Sequence, residues 1–251
     1  QNELFYGQAF ASGNINIKGT PDNIFMDIYA KTERGTRIVL PFSGSSEISE
    51  NNFIFFIKHD STENQLVDKM FNNESGIELK INLEATPEAE IKIEFDPKIG
   101  DVITAKGNGS FLMNVTTSGD FTMFGEYVIS EGDYLFTFEN VINKHFKVAK
   151  GGTISWNGDP YVANTSLRAI YDKPRAPLFD LVMHIDSSSK YRQKIPVNCI
   201  LGLSGSLFNP DVSFGIQLPS ADESTKEIFH SVIDTTDEQE MLRQVFSLMV
   251  M

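Results

Sequence analysis

Cysteine occurs once in the 251 residues, as Cys199 in the apolar run VNCILGL. A single thiol excludes an intrachain disulfide framework and a cysteine-based zinc cluster. No histidine stands where it could serve Cys199 as a base, so Cys199 reads as a buried structural thiol. Tryptophan also occurs once, at Trp156, against 20 phenylalanines. Apolar mass is plentiful, but few aromatics carry a polar handle. Positive charge is short: 21 Lys and Arg stand against 34 Asp and Glu, a net charge of −13. That sign repels phosphate backbones, which excludes nucleic acid as a partner, and it opposes docking on anionic lipid surfaces. No apolar run approaches the ~20 residues of a membrane-spanning helix.

Catalytic patterns are missing as well. His59, His145, His184 and His230 are scattered, with no H-x-H or H-E-x-x-H arrangement. There is no G-x-S-x-G elbow. The glycine-rich KGNGS, Lys106 to Ser110, lacks phosphate-loop spacing and leads into a strand, so it reads as a turn between strands. No catalytic residue, metal ligand or cofactor follows from the sequence, and an enzyme is not expected.

What is present is alternation. IELKINLEA places Ile77, Leu79, Ile81 and Leu83 on one face, and AEIKIEF does the same with Ile91, Ile93 and Phe95. A period of two marks half-buried strands. Similar segments run from NINIKG to DVSFGIQL, more than a dozen in all, including NNFIFFI, GSFLMNVTT, DFTMFGEYVIS, GDYLFTFENV and PLFDLVMHID. The short polar gaps suit hairpins and meanders. Glycine followed by proline recurs between strands, at Gly19-Pro21, Gly158-Pro160 and Gly205-Pro210, as punctuation for a sheet that doubles back. Helix is expected twice at the end: after a Ser220–Glu223 capping box, with Ile228 and Val232 apolar, and after Thr235–Glu238, with Leu242, Val245, Phe246 and Met249 at helical spacing. NQLVDKMF, Asn64 to Phe71, reads as a further turn or two of helix.

Apolar strand surface is in excess. Phe111 with Met113 and Val115, Phe121 with Met123, and Tyr134 with Phe136 and Phe138 crowd successive segments, and Ile154, Trp156 and Leu167 follow. Such a face either fills the closed interior of a sandwich or barrel, or lines an open trough suited to acyl chains; a period of two fits both. A carbohydrate-binding sandwich would need exposed aromatic platforms, which one tryptophan hardly supplies.

The stretch GNGSFLMNVTTSGDFTMFGEYVISEGDYLFTFENVINKHFKVAKGGTISWNGDPYVANTSLRAIY resembles the C-terminal domain of the TamB family, the translocation and assembly module proteins. The G-x-Y-x-F segment, the F-x-V-x-x-G-G-T-I-x-W-x-G-D-P segment and the closing LPSADESTKEIF…TTDEQEMLRQVFSLMVM carry the likeness, which covers at least Ile77 to Met251. The resemblance implies an elongated curled sheet, a β-taco or half-pipe, with an apolar concave groove. It implies residence in the periplasm of Gram-negative bacteria, at the outer-membrane end of an inner-membrane-anchored, bridge-like lipid transfer protein. The implied ligand is phospholipid or another acyl-chain lipid, and the implied partner an Omp85-family, TamA-like outer-membrane protein. An alternative role is a docking or chaperone module for that partner, without lipid conduction.

The expected organisation is therefore an all-β half-pipe over residues 1–219, clearest over 77–219, and a helical segment over 220–251, within a fragment of a longer chain. About sixteen strands at ~4.8 Å predict a trough of roughly 70–80 Å. The predicted groove residues are Ile77, Leu79, Ile81, Leu83, Ile91, Ile93, Phe95, Phe111, Met113, Val115, Phe121, Met123, Tyr134, Phe136, Phe138, Ile154, Trp156 and Leu167. Ile228, Val232, Leu242, Val245, Phe246 and Met249 are predicted to cap the groove or meet a partner, and Trp156 to pack on the apolar face or its rim.

Overall fold

The computed structural model describes residues 6–41, 76–96, 100–117, 119–138, 142–160, 162–177, 194–207, 209–232 and 237–250. The candidate helix at Asn64 to Phe71 and the candidate strands NNFIFFI and PLFDLVMHID fall largely or wholly outside these residues, as do the side chains of Phe138 and Val232.

Among the described residues thirteen strands form one sheet. They are β1 (Tyr6–Gln8), β2 (Ala11–Thr20), β3 (Asn23–Thr32), β4 (Arg37–Pro41), β5 (Gly76–Ala85), β6 (Glu90–Asp96), β7 (Asp101–Thr116), β8 (Phe121–Phe138), β9 (Ile142–Val148), β10 (Thr153–Gly158), β11 (Ala163–Pro177), β12 (Lys194–Ser206) and β13 (Asp211–Gln217). Two helices follow, α1 (Glu223–Val232) and α2 (Glu238–Val250). Most pairs are antiparallel, but β3 pairs β5 and β4 pairs β6 in parallel.

Long strands divide the sheet into two walls. The first half of β7 pairs β6 and its second half pairs β5. β8 pairs β10 through its first half and β9 through its second. One wall therefore stacks β2, β3, β5, β7, β8, β10, β11, β12 and β13; the other stacks β1, β4, β6, β7, β8, β9, β11, β12 and β13. Because the long strands serve both walls, each track is nine strands deep, and eight spacings give ~38 Å. The single-file length expected from the sequence is too great for that reason.

The bend between the walls corrects two expectations. KGNGS is no turn: Lys106 to Ser110 lies inside β7. DFTMFGEYVIS and GDYLFTFENV are not separate strands, for β8 runs through both. Lys106 pairs with Glu131 and Gly107 with Ile129, which leaves Ser130 as the extra residue of a β-bulge. One extra residue reverses the alternation. Hence Tyr127 and Ile129 are buried on odd positions, whereas Tyr134 and Phe136 are buried on even ones.

Earlier layers turn the same corner with threonine. The Thr86 N–H donates to Thr32 Oγ1 at 2.9 Å and the Thr86 hydroxyl to Thr32 O at 2.9 Å. Thr36 Oγ1 donates to Phe10 O at 2.8 Å and accepts from Phe10 N at 2.9 Å. These bonds satisfy backbone groups that the corner removes from the ladder. On the outer surface, register partners carry opposite charges: Lys31–Glu84 at 2.8 Å, Arg37–Glu90 at 2.8 Å and Lys106–Glu131 at 3.6 Å. Each exposed pair adds little stability, though a register slip would part all three.

Each helix is capped two residues beyond the expected position. Asp222, not Ser220, caps α1, its Oδ1 accepting from the Thr225 N–H at 2.8 Å. Asp237 caps α2, its Oδ1 accepting from Gln239 N at 2.9 Å and Glu240 N at 3.1 Å. Aspartate accepts well here and sits favourably at the positive end of the helix.

Gly125 shows how closely β7 approaches β8. Its φ is +144°, and a Cβ there would stand 2.2 Å from Ser110 O. Gly119, at φ +98°, has no atom within 4 Å of the same position. Gly125→Ala should therefore cost at least ~2 kcal/mol in urea unfolding, and Gly119→Ala only the ~1 kcal/mol of backbone strain. Equal losses would show that the close approach of β7 has no effect.

Candidate functional site

The inner face of the sheet is a set of apolar rows that cross strand after strand. Ile17, Met26, Leu79, Val115 and Phe121 are successive register partners. Ile15, Ile28, Ile81, Met113 and Met123 form the next row. A third runs from Ala30 through Leu83 to Phe111, Gly125, Trp156 and Ala163. The opposite wall carries Leu40, Ile93, Ile103, Tyr134 and Phe146 in one row. Its neighbour is Ile38, Ile91, Ala105, Gly132, Val148, Ala169, Leu201 and Phe214.

The two halves of this face are covered differently. Between the walls formed by β3 to β8 lies an apolar cleft of about 230 Å³. Leu83, Met113, Phe121 and Met123 line it from one wall and Ile38, Leu40 and Ile91 from the other, which shows that the sheet is folded over on itself. Thr32 and Thr36 also line it with their hydroxyls already bonded, Thr32 Oγ1 to the Thr86 N–H and Thr36 Oγ1 to Phe10, so they present little polar demand. Beyond β9 the trough is filled. α2 lies against β13, β12 and β9, and buries Met241, Val245, Leu248 and Met249. Beneath it Phe146, Val197, Cys199 and Leu201 are 0% exposed.

Trp156 stands at the end of the open half. Its register partner is Gly125, whose other partner is Phe111. With no side chain between them, the two rings meet over the glycine, 5.7 Å apart at 76°. This edge-on geometry adds ~0.5–1.5 kcal/mol to the area buried. The indole Nε1 donates to Pro160 O at 3.2 Å, so the W-x-G-D-P turn supplies the one polar partner Trp156 needs. Gly151 and Gly152 extend the pairing, through Gly151 N to Ile129 O and Ile129 N to Gly152 O, both at 2.8 Å. The glycines are punctuation, and the half-buried Trp156 lines the cleft.

The predicted groove residues divide by depth. Ile93, Phe111, Tyr134, Phe136, Ile154 and Leu167 are buried. Leu79, Leu83, Ile81, Ile91, Phe95, Met113, Val115, Phe121, Met123 and Trp156 are half-buried, and Ile77 is exposed. Among the helical residues, Val245 and Met249 are buried against the chain's own sheet, which withholds them from a partner while α2 is docked. Ile228, Leu242 and Phe246 are half-buried. Sequence reasoning missed Ile38 and Leu40, although the alternation in TRIVLPF contained them. It also missed Thr32, Thr36, Ala85 and Ala89, which belong to the cleft only because the corner brings them there. His145 and His230 are exposed.

A family model described as the TamB C-terminal domain matches residues 2–250. The chain belongs to the TamB C-terminal domain family. A comparison with curated proteins finds no match. Membership gives this TamB domain a role in outer-membrane assembly and a place in the cell envelope. No described helix is long and apolar enough to cross a membrane.

Two buried tyrosines mark the inner face electrostatically. Burial, with the Asp101 carboxylate beside it, holds the Tyr134 hydroxyl neutral far above its usual range; that hydroxyl donates to Asp101 Oδ2 at 3.1 Å. Burial alone raises Tyr127. Its hydroxyl finds no hydrogen-bond partner among the described residues, nor does that of Thr165. Both flank Ile154 in one row. A folded-state pKa above the unfolded ~10 stabilises the fold below that pH, and the contribution is lost as pH rises further. Stability should thus decline above about pH 10. Tyr127→Phe should leave pH 7 stability unchanged or raise it by ~1 kcal/mol, and should flatten the alkaline decline. Thermal melts from pH 7 to 11 would measure both, and a large loss at pH 7 would mean that the hydroxyl has a partner.

Proposed function

We propose that this TamB domain carries acyl chains of phospholipid along its trough, in the periplasm at the outer-membrane end of a longer bridge, with no catalytic step. The observation that carries this reading is the cleft of about 230 Å³ lined by apolar side chains from both walls. Burying an acyl chain there gains ~0.8 kcal/mol per CH₂. Rows that repeat at every strand, ~4.8 Å apart, let a chain slide between equivalent positions without a high barrier. The headgroup stays wet at the open mouth of the cleft.

The test uses the native tryptophan. 9,10-Dibromostearate entering the cleft should quench Trp156 fluorescence, and Met113→Asp, which sets an unpaired carboxylate in the apolar rows, should weaken quenching by roughly tenfold or more. Undiminished emission up to the solubility limit of the acid would refute the reading.

A second reading, docking on an Omp85-family, TamA-like protein, is favoured by β2. All ten of its residues are exposed, its outer edge has no strand partner among the described residues, and Ile15 and Ile17 are 64% and 62% exposed. Such an edge can extend a partner's sheet. Ile17→Lys should then reduce co-purification with the outer-membrane partner severalfold. Undisturbed co-purification would remove β2 from that role.

A further inference from the structure

We infer that α2 is a displaceable stopper. With its own apolar side chains it occupies the half of the trough that an acyl chain would otherwise enter, and it undocks as a unit while the strands stay folded. The inference rests on the acyl-binding reading of the open half.

Three observations carry it. First, the apolar track does not end where the cleft ends. The row through Ile91 and Ala105 continues to Ala169, Leu201 and Phe214, beneath the helix. Second, α2 meets the sheet through apolar side chains: Met241, Leu248 and Met249 are buried, and Phe246 stacks on Phe136 with ring centres 6.5 Å apart and packs on Phe214 at 5.8 Å. Methionine and leucine fill such a space much as a hydrocarbon chain does, and apolar packing has no directional bonds to break. Third, the helix carries its own polar bonds. Arg243 donates to Gln239 O and Glu240 Oε2, Gln244 donates to Glu240 Oε1, and Asp237 caps the first turn. Units that share apolar contacts but keep their own backbone bonds open below the global unfolding free energy.

A helix of 13 residues is marginal alone in water. It docks, therefore, when the trough is empty and yields when a chain competes for the same face. A crevice of about 630 Å³, lined by Phe214 and Ile216 of β13 and by Lys226, Phe229 and Met241, lies beside the helix at the trough's far end.

Two native reporters make the test. Cys199 is wholly buried on β12, one of the strands beneath α2, and Trp156 lies in the other half of the sheet. Maleimide labelling of Cys199 in low urea should proceed with a much weaker urea dependence than the unfolding seen by Trp156. Asp237→Ala, which removes only the exposed cap, should speed labelling about fivefold. Phe246→Ala should speed it roughly tenfold or more. Phe246→Ala should also bind more dibromostearate per chain than the parent by intact-complex mass spectrometry, with Trp156 emission still quenched. The stopper is overturned if Cys199 reacts only along the global transition, if neither substitution speeds it, or if acyl stoichiometry is equal in both proteins. Failure of the parent to bind the acid, with Cys199 still opening locally, would instead strike the acyl reading of the open half.

Discussion

An apolar face that runs across thirteen strands must be shielded from water, and the rest of the molecule follows from how that shielding is done. The sheet folds over a corner so that two walls cover each other. In the half beyond β9, where the walls alone leave room, α2 supplies Met241, Val245, Leu248 and Met249, and the strands beneath are dry. In the half before β9 nothing among the described residues takes that place, and a cleft remains between Leu83 and Met113 on one side and Leu40 and Ile91 on the other. One physical demand thus produces both a packed core and a candidate ligand path on the same surface.

The corner is affordable because its polar groups are paired. Threonine hydroxyls at Thr32, Thr36 and Thr86 take over bonds that the bend removes, and farther along Ser130 is absorbed as a bulge. Charges stay on the outer surface, where Lys31, Arg37 and Lys106 each face an opposite charge on the neighbouring strand. Glycine works at the tightest point: the missing side chain of Gly125 lets Phe111 and Trp156 meet. The inner face consequently holds few polar groups, and those it holds, such as Tyr127 and Tyr134, are kept neutral by burial.

Membership in the TamB C-terminal domain family, matched over residues 2–250, agrees with this construction. A surface that repeats from strand to strand needs no special residue at any one position. The motif around Trp156 is accordingly structural: its glycines set pairing and its proline carbonyl receives the indole.

By itself the sequence determined most of the described strand segments, the two closing helices and the apolar identity of the inner face, because alternation in IELKINLEA or AEIKIEF is local and survives in any β arrangement. It also located Phe111, Met113, Met123 and Trp156 on that face. Only the tertiary structure decided that KGNGS bends within a strand, since a bulge is defined by the partner strand and not by its own residues. The same holds for Asp222 and Asp237 as caps, where several acceptors stood within one turn and packing chose among them. Thr32 and Thr36 became part of the cleft only when the corner brought them under Leu83 and Ile38. Whether the apolar face was core or path depended on where α2 lands, a contact between residues far apart in the chain that no local pattern encodes.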